Sequence, residues 1–159
     1  MVSEEQRTTD LEETLRRALG AATCLDMAHI VRSDTAWAAF SAVLSRFFAP
    51  DFVFEPSWPE EGPLPDLAGQ TYRGLEGFRR AGATYTEPFE AMIYDFERLV
   101  GSGDRLVSIH RVRARARHSG ISFDFQLAYI LSVRDGMIVH VQGGFRDPSE
   151  ALKAAGLEE

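Results

Sequence analysis

The fold of this chain is decided by residues 105–145, which read RLVSIHRVRARARHSGISFDFQLAYILSVRDGMIVHVQGGF. Side chains of contrasting polarity alternate along this stretch with a period of two. Arginine occupies every odd position from Arg111 to Arg117, and small apolar residues stand between the arginines. Such a period is typical of a β-strand with one buried face. Strands of this length, joined by tight turns, predict a curved antiparallel sheet.

Two turn dipeptides, Ser119-Gly120 and Asp135-Gly136, divide the stretch into three strands. Both are favoured in two-residue hairpins, so the strand pairing can be counted outward from them. A slip of one residue in either turn would exchange the two faces of a strand. The count predicts these cross-strand neighbours: His110 with Tyr129, Ala114 with Phe125, Leu131 with His140, and Tyr129 with Gln142.

One face of the predicted sheet is mainly apolar and faces the interior. It carries Val112, Ala114, Ala116, Phe125, Leu127, Leu131, Val133 and Ile138, with His110, Tyr129, His140 and Gln142 among them. The outer face carries the arginines, Asp124 and Gln126. It also carries an apolar strip of Ile130, Val139 and Val141, which predicts a homodimer through the outer sheet face.

The segment before these strands has apolar residues at the spacing of α-helices. Residues 1–9 are polar and predict a frayed N-terminus. Residues 10–159 are predicted to form a single domain. Asp10 is the predicted N-cap of its first helix. Ser33 or Asp34 can cap a second helix, which Pro50 ends. A strand at 51–55, a helix through 75–81, a strand at 91–100 and a closing helix from Pro148 complete the order. This order predicts an α+β fold with the helices on one face of the sheet.

The segment from 56 to 70 is rich in proline and contains Trp58. A loop of this length inside a compact domain is usually a lid or a binding loop. Trp58 is therefore predicted either to cover a pocket or to anchor the loop.

Composition excludes several functional classes. The net charge of −7 argues against nucleic acid as a partner, which would require a basic surface. The only cysteine, Cys24, excludes an internal disulfide. There is no apolar leader and no stretch that could span a bilayer. These features predict a cytoplasmic protein without a membrane partner.

Several motifs resemble those of one family. They are Tyr72-Arg73-Gly74 before a short helix, the Arg-x-Arg-x-Arg-His-Ser-Gly hairpin at 113–120, Ala128-Tyr129-Ile130 ahead of 134–139, and the ending at 148–157. Together they resemble the SnoaL-like polyketide cyclase and ketosteroid-isomerase-like group over roughly residues 35–157. That resemblance implies the cone-shaped fold of nuclear transport factor 2, a curved, mixed or antiparallel sheet wrapped around N-terminal helices and enclosing a pocket.

The resemblance also implies site residues. Glu55, followed by Pro56, resembles the catalytic aspartate of ketosteroid isomerases, which is followed by proline, and so becomes the candidate general base. Tyr129 lies near the position of their protonated aspartate and would donate a hydrogen bond to an enolate oxygen. This fold carries enzymes of several kinds as well as non-catalytic binders, so the resemblance does not select a reaction.

The residues themselves leave alternatives open. His110 and His140 are predicted to act as acid and base around a ligand, or else to be hydrogen-bonded core groups. Their spacing matches no known metal-ligand pattern, so neither a metal nor another cofactor is expected. The remaining predicted ligand-binding residues are Gln142, Trp58, Phe54, Val112, Phe125, Leu127 and Leu131.

Three functions fit this sequence. The first is a cofactor-independent isomerase, cyclase or dehydratase, in which Glu55 moves a proton on an apolar ketone or polyketide-like substrate. The second is a non-catalytic binding protein for an apolar small molecule. The third is an interaction module that uses the sheet face, which the polar groups on the inner face disfavour.

Overall fold

The computed structural model describes residues 1–56 and 70–157, and within these ranges it has five helices and seven strands. The order of elements confirms the α+β class. The helices are α1 (Glu4–Ala21), α2 (Met27–Arg32), α3 (Asp34–Leu44), α4 (Gly74–Thr86) and α5 (Pro148–Ala154). The strands are β1 (Leu25–Asp26), β2 (Phe48–Pro56), β3 (Tyr72–Arg73), β4 (Phe89–Ser102), β5 (Arg105–Ala116), β6 (Ser122–Arg134) and β7 (Met137–Phe145).

The first helix begins earlier than the sequence pattern predicts. The Ser3 side chain accepts a hydrogen bond from the backbone N–H of Gln6 at 3.1 Å, and this cap starts α1 at Glu4. The prediction of Asp10 as the N-cap is therefore wrong, whereas the frayed N-terminus stays a prediction. The first two turns bury little, so no apolar period marks them in the sequence.

Capping residues also begin the shorter helices. Ser33 caps α3 and Asp147 caps α5, with Pro148 in the first turn, as predicted. The helix α2, capped by Asp26, was not predicted because it has only 6 residues. Pro50 does not end a helix, since it lies inside β2.

The strands form one curved sheet in the order β1-β4-β5-β6-β7-β2-β3. Neighbouring strands are antiparallel except β2 and β7, which run parallel. Leu11 and Leu15 of α1 and Ala81 of α4 pack against the concave face in one apolar cluster with Phe52 and Leu106. Helices α1 and α4 thus cover the inner face of the sheet. Helix α5 packs instead on the outer face, against Val107, Ile109 and Ile130, so the prediction that the helices lie on one face is wrong for α5.

The register of the β5–β6 hairpin differs from the prediction, but the side chains point to the predicted faces of the sheet. Ala114 lies opposite Phe123 rather than Phe125, and His110 lies opposite Leu127 rather than Tyr129. The shift is two residues, and because side chains alternate every second residue, an even shift leaves them on the same face. His110 and Tyr129 therefore both face inward, as predicted.

The β6–β7 pairing contains a bulge that reverses the predicted faces. Val133 pairs with Ile138 as counted, but the next pair is Ser132 with His140, which leaves Val139 without a partner in β6. One extra residue moves the side chains that follow it to the other face, up to a second register shift between Tyr129 and Ala128. His140 and Gln142 therefore lie on the outer face, and the prediction that they point inward is wrong.

The apolar strip predicted on the outer face is not exposed. Ile130 is buried with Val107 and Ile109 beneath Ala151 of α5. Val141 faces the interior because of the bulge. The homodimer through the outer face stays a prediction, and this strip no longer supports it.

Candidate functional site

A cavity of about 220 Å³ lies between the helices and the concave face of the sheet. Its wall is mainly apolar, and no carboxylate of the described residues lines it. The apolar wall includes Leu15 and Leu19 of α1, Phe40 and Leu44 of α3, Phe78 of α4, and Phe54, Phe96, Leu131, Ile138 and Val141 of the sheet. Six lining residues carry polar side-chain atoms: Tyr85, Thr86, Tyr94, Ser108, His110 and Tyr129.

Two tyrosines form a hydrogen-bonded pair in this wall. Their hydroxyl oxygens, on Tyr94 of β4 and Tyr129 of β6, are 3.2 Å apart. One hydroxyl donates to the other, and the accepting tyrosine keeps its own O–H for a further acceptor. The pair can therefore offer one hydrogen bond to an oxygen atom in the cavity.

Burial keeps both of these hydroxyls protonated. Desolvation raises the pKa of Tyr129 to about 12, although its hydrogen bond with Tyr94 opposes the rise. Desolvation and the neighbouring phenol of Tyr129 raise the pKa of Tyr94 well above its usual value. Both groups are neutral donors at physiological pH, which suits recognition of a carbonyl or enolate oxygen.

A second polar pair lies beside the tyrosines. Nε2 of His110 is 3.1 Å from Oγ of Ser108. Rings of Tyr94, Phe96 and Tyr129 contact the imidazole edge to face, with centroids 6.0, 5.9 and 5.7 Å away. Desolvation lowers the pKa of His110 to about 4, so the ring is a neutral imidazole near pH 7.

Thr86, at the end of α4, is the third polar feature of the wall. It is 1% exposed, and its hydroxyl has no hydrogen-bond partner among the described residues. A buried hydroxyl without a partner costs free energy of folding.

Some of the predicted site residues line this cavity. Tyr129 and His110 do so, as do Phe54 and Leu131. Val112, Phe125 and Leu127 belong instead to an adjacent apolar cluster that packs against Tyr94 and Tyr129. They support the tyrosines from behind rather than lining the cavity.

Other predicted residues lie elsewhere. Phe54 of β2 faces the cavity, so its neighbour Glu55 faces outward, where its Oε2 is 3.0 Å from Nε2 of His140. Gln142 pairs with Glu55 across β2 and β7 and shares that outer face. These three residues are brought together, but not in the cavity. Trp58 lies outside the described residues.

Four residues that line the cavity were not predicted from the sequence: Tyr94, Ser108, Tyr85 and Thr86. The first two could have been found: Met92, Tyr94 and Phe96 alternate in β4, and Ser108 continues the inward positions of β5. Tyr85 and Thr86 carry no such signal, because they lie in the last turn of a helix whose packing direction is not readable from its ends.

Within residues 1–56 and 70–157, no three His, Cys, Asp or Glu side chains converge on a point that could hold a metal ion. None of the helices in these same ranges is long and apolar enough to span a membrane.

The arginines on the outer face are paired with carboxylates. Arg111 pairs with Asp124, Arg113 with Asp95 and Arg115 with Glu90. All three arginine side chains are about half exposed, so the basic stripe is a solvated, charge-balanced sheet surface. It does not form a free basic patch.

Comparison with protein families matches residues 32–141 to the SnoaL-like domain. A search of the curated proteins found no match to this chain.

Solved structures share the fold at low sequence identity. A protein of Jannaschia sp. CCS1 named as a SnoaL-like polyketide cyclase has a TM-score of 0.59 and 17% identity, with 100% of each chain covered. A Catenulispora acidiphila protein with a ketosteroid-isomerase-like fold, in complex with trimethylamine, has a TM-score of 0.52 and 21% identity, covering 77% of this chain and 91% of its own. TerC, co-crystallised with polyporic acid, has a TM-score of 0.51 and 18% identity, and the match covers 75% of this chain and 92% of TerC. At these identities the likeness is one of fold.

Proposed function

The chain belongs to the SnoaL-like family, and from this premise we propose that its cavity binds an apolar small molecule carrying a carbonyl or phenolic oxygen. The observation that carries the proposal is the hydrogen-bonded pair of Tyr94 and Tyr129 in a mainly apolar wall. An apolar pocket with a few convergent polar groups is the usual form of a small-molecule site. The apolar wall supplies affinity, and the tyrosine pair selects a ligand oxygen.

The cavity size limits the ligand. An apolar cavity of about 150 Å³ is large enough to bind benzene. The cavity of about 220 Å³ therefore suits a molecule with more than one ring or an equivalent chain. TerC and the Catenulispora protein, which share this fold, were also crystallised with small molecules.

The test compares two bicyclic compounds that differ in one oxygen, the ketone 1-tetralone and the hydrocarbon tetralin. Isothermal titration calorimetry should show the ketone binding more tightly by about five- to tenfold, since a net hydrogen bond contributes about 1 kcal/mol. The double variant Tyr94→Phe/Tyr129→Phe, which removes both donors, should bind tetralin as before and lose most of the preference for the ketone.

Glu55→Gln is the matched control. Glu55 lies on the outer face with His140, so its substitution should leave both affinities unchanged. Failure of both compounds to bind, or a ketone preference that survives both tyrosine substitutions, would contradict the proposal.

A second candidate function is proton transfer at a carbon next to a carbonyl, as in a cofactor-independent isomerase, cyclase or dehydratase. The neutral imidazole of His110 favours it, since its ring is 5.7 Å from that of Tyr129. His110 would take the proton, and the tyrosine pair would donate to the enolate oxygen. Because burial lowers the pKa of His110 to about 4, this base suits only an activated C–H group.

This second function has its own measurement. The protein should accelerate exchange of the benzylic α-protons of 2-tetralone with solvent deuterium, followed by proton NMR. His110→Gln should abolish the acceleration while ketone binding persists. Exchange at the rate of buffer alone would leave binding as the function of the cavity.

A further inference from the structure

The apolar stripe of α3 runs from the core of the protein to its surface. Trp37 is 5% exposed, Phe40 is half-buried, and Val43 is 45% exposed. Residues three positions apart lie on the same side of a helix, so these side chains form one row. Phe40 and Val43 both line the cavity. Because Val43 is exposed and lines the cavity, the cavity opens to the surface beside the last turn of α3.

We call Phe40, Val43 and Leu44, which all line the cavity, its mouth. Single exposed apolar side chains are common on protein surfaces and need no explanation by themselves. Within the described residues, however, Val43 is the only large exposed apolar side chain that also lines the cavity. The mouth is therefore continuous with the apolar wall inside.

The enclosed part of the cavity and its mouth differ in polarity. Tyr94 and Tyr129 are desolvated, so the oxygen-binding pair lies in the enclosed part. No Asp, Glu, Lys or Arg of the described residues lines the cavity at any point, the mouth included. A charged group of a ligand would find no partner in the mouth, whereas each methylene buried there adds to the affinity.

The volume of the cavity decides how much of a ligand stays inside. The cavity of about 220 Å³ exceeds by roughly half the volume of about 150 Å³ that holds benzene. One aromatic ring with a carbonyl group and a few carbon atoms therefore fills it. Any longer substituent must extend through the mouth.

We propose that the mouth receives an unbranched alkyl chain of the ligand whose ring and oxygen occupy the cavity. This inference rests on the proposed binding function and narrows its ligand class to ketones or phenols that carry an apolar chain. The tyrosine pair binds the oxygen, the enclosed wall contacts the ring, and the mouth contacts the chain where it leaves. Affinity should therefore keep rising with chain length after the cavity is full.

The experiment measures the affinities of four phenyl ketones whose chains grow by two carbon atoms at each step: acetophenone, butyrophenone, hexanophenone and octanophenone. Calorimetry is done with the protein in the syringe, because the longer ketones are sparingly soluble. Each step should raise the affinity by about three- to tenfold, since two fully buried methylenes contribute about tenfold. An affinity that stops rising after butyrophenone would show that the chain gains nothing from the mouth and would overturn the inference.

Val43→Asp tests the mouth directly because it places a charge where the chain leaves. It should weaken the binding of octanophenone by about tenfold and leave the affinity for 1-tetralone, which has no chain, unchanged. Ala42→Asp is the matched control, since Ala42 is exposed on the same turn of α3, does not line the cavity, and receives the same charge. This variant should bind octanophenone as the native protein does.

Equal affinity for octanophenone in the native protein and in Val43→Asp, with 1-tetralone still bound, would overturn this inference alone. The same holds if Val43→Asp changes only the oligomeric state in size-exclusion chromatography, because the mouth would then be a contact between copies of the chain. Absence of binding by all of these ketones would overturn the inference together with the proposed function.

Discussion

The hydroxyl oxygens of Tyr94 and Tyr129 lie 3.2 Å apart, although β5 separates the strands that carry them. The curvature of the sheet brings the two side chains together across the intervening strand. Val112 of β5 is fully buried in the cluster that packs against both rings. The pair is thus held by the core, and the O–H that its internal hydrogen bond leaves free can donate to a ligand oxygen.

The pair predicts a particular pattern of stability. Tyr129→Phe leaves the enclosed hydroxyl of Tyr94 without its partner and should lower the free energy of unfolding by about 1–3 kcal/mol. The double variant Tyr94→Phe/Tyr129→Phe removes both hydroxyls and should be more stable than the sum of the single variants implies. Urea unfolding at pH 7 measures all four proteins. Strictly additive effects would show that the two hydroxyls do not interact.

His110 predicts a pH dependence of stability. In the unfolded chain its pKa is about 6.5, and in the folded protein burial lowers the pKa to about 4. Between these values the unfolded state binds a proton that the folded state does not. Stability is therefore full above about pH 6.5 and falls as the pH drops towards 4, by at most about 3 kcal/mol from this group.

The contribution of His110 is measured by comparing unfolding free energies of the native protein and of His110→Gln at pH 7 and at pH 4.5. The loss on acidification should be smaller in the variant. His118→Gln is the control, because His118 is exposed on the β5–β6 turn and its loss should leave the pH dependence unchanged. NMR titration of the His110 ring gives the pKa directly, and a value near 6.5 would contradict this account.

Gly143 predicts a steric constraint on Tyr129. The two residues are cross-strand partners, and a Cβ atom on Gly143 would overlap Cδ1 of the tyrosine ring and lie 3.0 Å from the carbonyl oxygen of Ala128. Gly143→Ala should therefore displace the ring, reduce the ketone preference and lower stability by about 1–3 kcal/mol. Gly20→Ala, at a helical position with no atom within 4 Å, should instead be neutral or stabilising.

Thr86 predicts a gain in stability on substitution. Its hydroxyl is buried without a partner among the described residues, so Thr86→Val removes an uncompensated polar group at nearly constant volume. Thermal unfolding should show stabilisation by about 1 kcal/mol. Thr86→Ser keeps the hydroxyl and should not stabilise. A destabilised valine variant would indicate that the hydroxyl is hydrogen-bonded in solution.

The inner face of β5 and β6 was predictable because these strands pair with each other without a bulge. Even a wrong turn length left His110 and Tyr129 correctly placed, since the error was an even number of residues. The same counting failed in β7, where one unpaired residue, Val139, reversed the faces of His140 and Gln142. The period of two carries no information about where a bulge occurs.

The position of Glu55 was unpredictable for a related reason. β2 pairs in parallel with β7, a contact between distant parts of the chain that no turn length determines. Because Phe54 points into the cavity, Glu55 points to the outer face of the sheet, where it contacts His140. A resemblance in sequence at this point located the strand end correctly but did not determine the side of the sheet.

A crystal structure of the protein with 1-tetralone tests the central claim most directly. The account predicts the bicyclic ring inside the cavity, with its ketone oxygen within hydrogen-bond distance of the hydroxyl of Tyr94 or Tyr129. A ketone bound on the outer face near Glu55 and His140, or one whose oxygen points at the apolar wall, would contradict the claim.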